Sequence, residues 1–336
     1  MTLTEFLDAK NKCLSLLLMG ETGSGKSCQL GLLAKWVKQK WDKKTLVMIA
    51  DSGSGAGPFQ EGIDEGYIET FSIFDTKYPV QVLNAVSQGF WPQYKESGDD
   101  FVIKVTKTPE YKIDFSDVGA IFIDSLTGLC AMLGQHFANT PLETPQAKRI
   151  FPAATVSENG HEFGSLDKPH YGLVHAQIQQ ALSIYFARLP LMVFAVTAQI
   201  CDTPKAYVPL TIGKALNPHV PGWFKHFFHL ESKVVLAEEF RTQKLAKAFG
   251  IKEDDEGSYE QRVMWFREHV SPITGIPYKA KARILLDGTQ DLIAKRYPNG
   301  YQILDTELGA ARFFNYLEQA KTLLAEKKAK TVTTPE

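Results

Sequence analysis

The stretch LLLMGETGSGKSCQL, residues 16–30, sets three glycines, a lysine and two serines between two apolar runs. Gly20, Glu21, Thr22, Gly23, Ser24, Gly25, Lys26 and Ser27 match GxxxxGK(S/T) in full. Glycines permit backbone angles that turn successive N–H groups toward one point, and the helix that follows adds the positive end of its dipole, so such a loop cradles a polyphosphate. Lys26 is placed to reach the β and γ phosphates and Ser27 to hold Mg²⁺; Cys28 completes the set of candidate ATP-binding residues. The flanks agree with this. Residues 13–19 are an apolar strand, and 26–40 carry Leu30, Leu32, Leu33 and Trp36 at helical spacing. A glycine turn without a ligand does not need that strand and helix, and a dinucleotide fingerprint does not need the Lys-Ser pair.

Past the loop, strand and helix signals alternate. Residues 45–50 (TLVMIA) and 118–124 (VGAIFID) read as buried strands, 68–73 as a further strand, and 80–90 as a helix. Residues 171–189 form an amphipathic helix closed by Pro190, and LMVFAVTAQ, 191–199, is another apolar strand. This order calls for an α/β fold, a mainly parallel sheet flanked by helices. Residues 139–169 lack a clear period and read as an insertion loop. Beyond Trp223 the runs alternate as antiparallel strands, and residues 306–330 close the chain as an amphipathic helix with a frayed tail. The expected division is a core over 1–290 and a helical extension over 291–336.

The chain has 336 residues, 37 basic against 38 acidic, and a net charge of −1. That is the profile of an ordinary globular protein; it excludes a uniformly basic coat but not a local basic loop. The four cysteines form no CxxC pair, which fits a reducing cytoplasm, and CLSLLLM is too short to span a bilayer. No membrane partner is expected.

A nucleotide triphosphatase needs a carboxylate at the magnesium, on a strand next to the loop, and Asp124 at the tip of AIFID is the candidate. Its alternative role is a helix N-cap, for which Asp124 and Ser125 are both suited. With Asp-Ser in place of the Asp-Glu of many AAA+ enzymes, IFIDSLTGL resembles the RecA-like branch of P-loop ATPases. That resemblance implies a RecA-like P-loop NTPase fold and a catalytic base at the end of the strand after the P-loop helix. Asp51, 25 residues after Lys26, occupies that place; the alternative is a strand-end turn residue, with Glu21 and Glu61 in reserve. The resemblance further implies a γ-phosphate sensor at Gln199, ending FAVTAQ, and trans-acting fingers at Lys281 and Arg283 in YKAKARI, which otherwise read as a solvated basic edge strand. It also implies self-association in a ring or filament with ATP at the subunit interface.

Within this branch the chain is similar to the phage-type ATPases of the Sak single-strand-annealing group, through the P-loop, IFIDSLTGL, Tyr171-Gly172, LPLMVFAVTAQ, GKALNPHVPGWFKHFFHLE and AKARILLDG. DNA recombination, annealing or repair is the implied setting, in a bacterial host cytoplasm. Residues 200–225 punctuate lysines and aromatics with Pro and Gly; Lys205, Tyr207, Lys214 and Lys225 are candidates for single-stranded DNA, with a subunit-packing loop as the alternative. Trp223 and the neighbouring phenylalanines read as core. A rival function is a nucleotide-switched assembly factor acting on a phage or host protein, with 139–169 and the C-terminal helix as docking surfaces. His226 and His229, three apart on a strand, face opposite sides, and no further ligands accompany them in the sequence.

Overall fold

A segment with no polar face has to be covered from both sides, and Leu16, Leu17, Leu18 and Met19 are sealed from solvent in β1 (Leu14–Gly20). The computed structural model describes residues 13–51, 55–73, 76, 78–97, 100–104, 106–139, 155–158, 161–164, 168–203, 205–212, 215–236, 258–271, 275–282 and 289–332. From β1 the phosphate loop leads into α1 (Lys26–Trp41), which buries Leu30, Leu33, Ala34 and Val37, the stripe expected of a helix lying on a sheet. α1 stops where Asp42 turns left-handed (φ 54°) and its N–H bonds to Lys38 O at 2.9 Å. Lys38 and Lys40 in the last turn complement the carbonyl end of the dipole.

There follow β2 (Lys44–Ile49), α2 (Gln60–Asp64), β3 (Ile68–Ser72) and α3 (Pro79–Ser87), then the separate hairpin β4 (Gln93–Ser97) and β5 (Asp100–Lys104). β6 (Val118–Asp124) runs into α4 (Leu126–Asn139); a second hairpin, β7 (Thr155–Glu158) and β8 (His161–Gly164), precedes α5 (Lys168–Gln179). The last part holds β9 (Val193–Asp202), β10 (Tyr207–Pro209), β11 (His226–Leu236), β12 (Ser258–Trp265), β13 (His269–Val270), β14 (Pro277–Tyr278), β15 (Lys281–Ala282), α6 (Thr289–Arg296), β16 (Tyr301–Ile303) and α7 (Ala311–Val332).

The strands β3-β2-β6-β9-β1-β11 are parallel throughout. β12 adds antiparallel to β11 and β16 to β12, while β15 pairs with the first two residues of β11. On the other flank β10 turns back along the end of β9 and carries β14 and β13. The protein is therefore α/β, a mainly parallel sheet flanked by helices, with an antiparallel extension and a C-terminal helix.

Each face has its own core. Leu16 and Leu18 pack with Leu30 and Leu33 of α1 and Phe313 and Phe314 of α7. Leu17 faces the other way, toward Val82 and Leu83 of α3, Leu129 and Leu133 of α4, and Val174 and Ile178 of α5. Each such side chain contributes about 1.5–3 kcal/mol relative to exposure. The segment expected as a helical extension thus supplies a sheet strand, β16, and a core helix, α7, tied to α1 by Trp36 Nε1 donating to Asn315 Oδ1 at 2.7 Å.

The strands of the parallel core fall within three residues of their expected ends. The helix read over 171–189 is instead α-helical only to Gln179, then π-helical over Gln180–Tyr185 and 3-10 over Phe186–Arg188. A physical cause is present: Ser183 Oγ donates to Gln179 O at 2.6 Å, competing for a carbonyl that the α-helical ladder needs. Of the insertion loop, 140–154, 159–160 and 165–167 lie outside the described residues.

Gly128 packs so closely on the end of β2 that a Cβ there would come within 1.6 Å of Ala50 O. Gly128→Ala is expected to lower the denaturation free energy by about 3 kcal/mol, read by urea titration; an unchanged midpoint would show that α4 is not seated on that strand.

Candidate nucleotide-binding site

Gly23 and Gly25 adopt φ of 82° and 86°, the left-handed conformation that a side chain resists and an anion-binding loop requires. Ser24 is buried and braces the turn through Oγ, which donates to Glu21 O at 2.8 Å. Lys26 begins α1, and its Nζ donates to Gly20 O at 3.0 Å and Glu21 O at 2.7 Å, so the ammonium is held against the loop's own carbonyls. Burial pushes the Lys26 pKa down, against the opposing pull of Asp124, Asp51 and Glu21. Three carboxylates thus act on one ammonium.

Asp124 does not sit on a strand next to β1. β9 intervenes, pairing with β1 on one side and β6 on the other. The intervening strand makes the site more constrained, because its Thr197 is buried between the two and donates to Asp124 Oδ1 at 2.5 Å. The N-cap alternative for Asp124 is filled by its neighbour: Ser125 Oγ accepts the Gly128 N–H at 3.2 Å. That leaves Asp124 for the site. The carboxylate is 2% exposed, and its Oδ2 is buried without a hydrogen-bond partner. Burial raises the Asp124 pKa, the Thr197 hydrogen bond and the nearby Ser27 hydroxyl lower it, Asp51 raises it and Lys26 lowers it. A buried carboxylate oxygen in want of a partner, beside the Ser27 hydroxyl, is a hard-oxygen donor set that fits Mg²⁺.

Asp51 follows the end of β2, where Ile49 is in register with Asp124 and Ala50 N–H donates to Asp124 O at 2.6 Å. It lines a cleft of about 420 Å³ with Thr70, Ser72 and Tyr94. Glu61, by contrast, pairs with Lys35 at the surface. Gln199 is in register with Gly20; its N–H donates to Thr127 Oγ1 at 3.0 Å, and Thr127 Oγ1 donates to Leu210 O at 2.8 Å. A single hydroxyl therefore links the candidate sensor, the start of α4 and the segment after β10.

Lys281 is exposed and pairs with Phe227 in register, three residues before Leu230, the partner of Gly20. That sets it back about 10 Å along the strand from its own phosphate loop. Arg283 and Lys214 lie outside the described residues. The remaining basic candidates are not brought together. Lys205 is exposed near the far end of β9, Tyr207 stacks on Tyr278 at 4.1 Å, and Lys225 donates to Cys13 O at 2.7 Å at the opposite end of β1. Phe224 and Phe228 are core, and Trp223 and Phe227 pack half-buried against it.

Two residues of this site carry no sequence motif. Thr197 is a hydroxyl inside an apolar strand, and that anomaly was its only signal. Arg262, on β12 opposite Ser232, lies over the loop: its Nη1 is 3.0 Å from where a Cβ on Gly25 would stand. The chain thus lays its own guanidinium beside the phosphate cradle.

Because the folded Asp124 has a higher pKa than the unfolded chain, between the two values the folded state holds a proton that the unfolded state has released, and stability falls as pH rises through that window. Asp124→Asn is expected to raise the thermal midpoint of the nucleotide-free protein at pH 7 and to abolish the further rise that Mg²⁺ and ATP give the wild type; a lowered midpoint would show that the charge supports the fold.

No helix among the described residues is long and apolar enough to cross a membrane. No protein-family model matches the chain, and no curated protein is similar to it in sequence. Among solved structures, a KaiC-like protein of the archaeon Pyrococcus horikoshii is similar over 79% of this chain and 89% of its own, at 10% identity and a TM-score of 0.32. The flagellar accessory protein FlaH of Methanocaldococcus jannaschii is similar over 80% of this chain and 89% of its own, at 10% identity and a TM-score of 0.34.

Proposed function

We propose that the protein is a RecA-like P-loop ATPase that binds and hydrolyses Mg²⁺-ATP. The observation that carries this reading is the buried Asp124 Oδ2, which lacks a partner and belongs to a carboxylate that interacts with Ser27 and Lys26 of a loop with two left-handed glycines. Lys26 and the loop N–H groups hold the β and γ phosphates, Ser27 and Asp124 hold the ion, and Arg262 neutralises charge on the phosphates from the open side. Asp51 orients the attacking water and Gln199 reads the γ phosphate. Lys281, set back from its own loop, serves a neighbouring subunit in a ring or filament.

Lys26→Ala is expected to abolish nucleotide retention, and Arg262→Ala to lower kcat by about 100-fold with the fold intact. Asp51→Asn is expected to trap bound ATP; normal turnover in that variant would discard Asp51 as the base. Mixing Lys281→Ala with Lys26→Ala subunits is expected to restore part of the turnover if Lys281 acts between subunits, while strictly additive loss would assign it a structural role within its own chain.

For the partner, single-stranded DNA at residues 200–225 is the first reading, supported by Lys205 at an exposed turn. The anchoring of Lys225 on Cys13 O and of Tyr207 on Tyr278 favours the second, an assembly factor switched by ATP and acting on a phage or host protein. ATP turnover measured with and without single-stranded DNA separates them. Stimulation that fades with salt supports DNA; unchanged turnover and no salt-sensitive binding remove it in favour of the protein partner.

A further inference from the structure

We propose that His229, Glu231 and His269 form a binding site for a divalent transition-metal ion of borderline softness, such as zinc, on the face of the sheet opposite the phosphate-loop helix. Among the described residues these three side chains bring one ligand atom each within 4.8 Å of the others.

The placement follows from strand parity. His229 and Glu231 are two apart on β11 and share a face. Phe228 and Leu230, between and beside them, belong to the core that includes α1, so His229 and Glu231 face away from that helix. His226, three before His229, falls on the other side and packs against Phe228 and Phe314. His229 thus finds its companions in the next residue of its own face and in β13, which folds over β11. His229 Nδ1 and His269 Nε2 are 3.4 Å apart. Two nitrogens bound at about 2.0–2.1 Å to one tetrahedral zinc are about 3.4 Å apart as well. Glu231 Oε2 is 4.0 Å from His269 Nε2, so the carboxylate closes on an ion with a small rotation.

The surroundings hold these groups as metal sites hold theirs. Trp265 Nε1 donates to Glu231 Oε2 at 2.7 Å, fixing the carboxylate. Trp265 stacks on His269 at 3.7 Å and Tyr278 on His229 at 4.1 Å, which locks both rings. His229 is buried, while Glu231 keeps 29% of its side chain exposed and gives the ion a path in and a position for water. Two imidazoles and one carboxylate suit zinc and its neighbours better than magnesium. The site borders the phosphate loop, since His229 is in register with Met19 and Leu230 with Gly20, but it is distinct from the carboxylate expected to hold magnesium. β1 and β9 lie between β11 and β6, which sets β11 about 14 Å from the strand of Asp124.

The test uses the full chain, stripped with a chelator, dialysed, and titrated with Co²⁺ in the absence of nucleotide. The expected result is one equivalent of Co²⁺ with visible ligand-field absorption, displaced by Zn²⁺ and retained in Lys26→Ala and Asp124→Asn. His269→Ala and Glu231→Gln are expected to weaken binding by more than about 100-fold; the second keeps the side-chain volume and an acceptor for Trp265, and its circular dichroism verifies the fold. Absence of stoichiometric Co²⁺ binding in the wild type would overturn the proposal and leave a histidine pair in mutual contact. Binding that persists in both variants, or that is lost with Cys28→Ser instead, would overturn it too.

Discussion

A carboxylate 2% exposed is a costly thing to keep in a protein, and the arrangement around Asp124 shows what that cost obtains. One of its oxygens is tied to Thr197 on the strand that separates it from β1; the other is left without a donor. Lys26 and Ser27 approach from the phosphate loop, and Asp51 from the neighbouring strand end. The polar groups at the strand ends are therefore mutually dependent. The loop, three strand tips and the start of α4 hold their positions against one acid, and the apolar sheet beneath them supplies the rigidity.

Two networks lead away from this centre. Thr127 joins the backbone of Gln199 to the carbonyl of Leu210, so a change at the Gln199 end of β9 reaches the segment proposed to meet a partner through one hydroxyl. On the other face Arg262 comes from β12, the first antiparallel strand, to the edge of the loop. The antiparallel extension thus borders the candidate nucleotide site as well as adding to the sheet.

The glycine pattern, the apolar strands and the spacing of α1 could be read directly because each rests on local physics: backbone permissiveness, burial on two faces and helical period. Asp124 was legible as the last residue of an apolar run. What stayed hidden depends on contacts across the sheet. The sequence order of β1, β6 and β9 does not say that β9 lies between the other two, so the Thr197 bond could not be foreseen. Arg262 and Gly25 are separated by most of the chain and meet only because β11 outruns β1. The histidine pair at 226 and 229 was rightly split by strand parity, yet the true neighbour of His229, His269, sits on a two-residue strand too short to announce itself.

The packing of α7 along α1 has a mechanical consequence. Gln29 Oε1 accepts the Ala310 N–H near the start of α1, Trp36 bonds Asn315 in its middle, and Lys40 pairs with Glu318 at its end. Three fastenings over nearly the whole length of one helix make the two a single lever. Any tilt of α1 that accompanies the filling or emptying of the phosphate loop has to be carried by the C-terminal helix, so a surface far along the chain from the nucleotide moves in step with it.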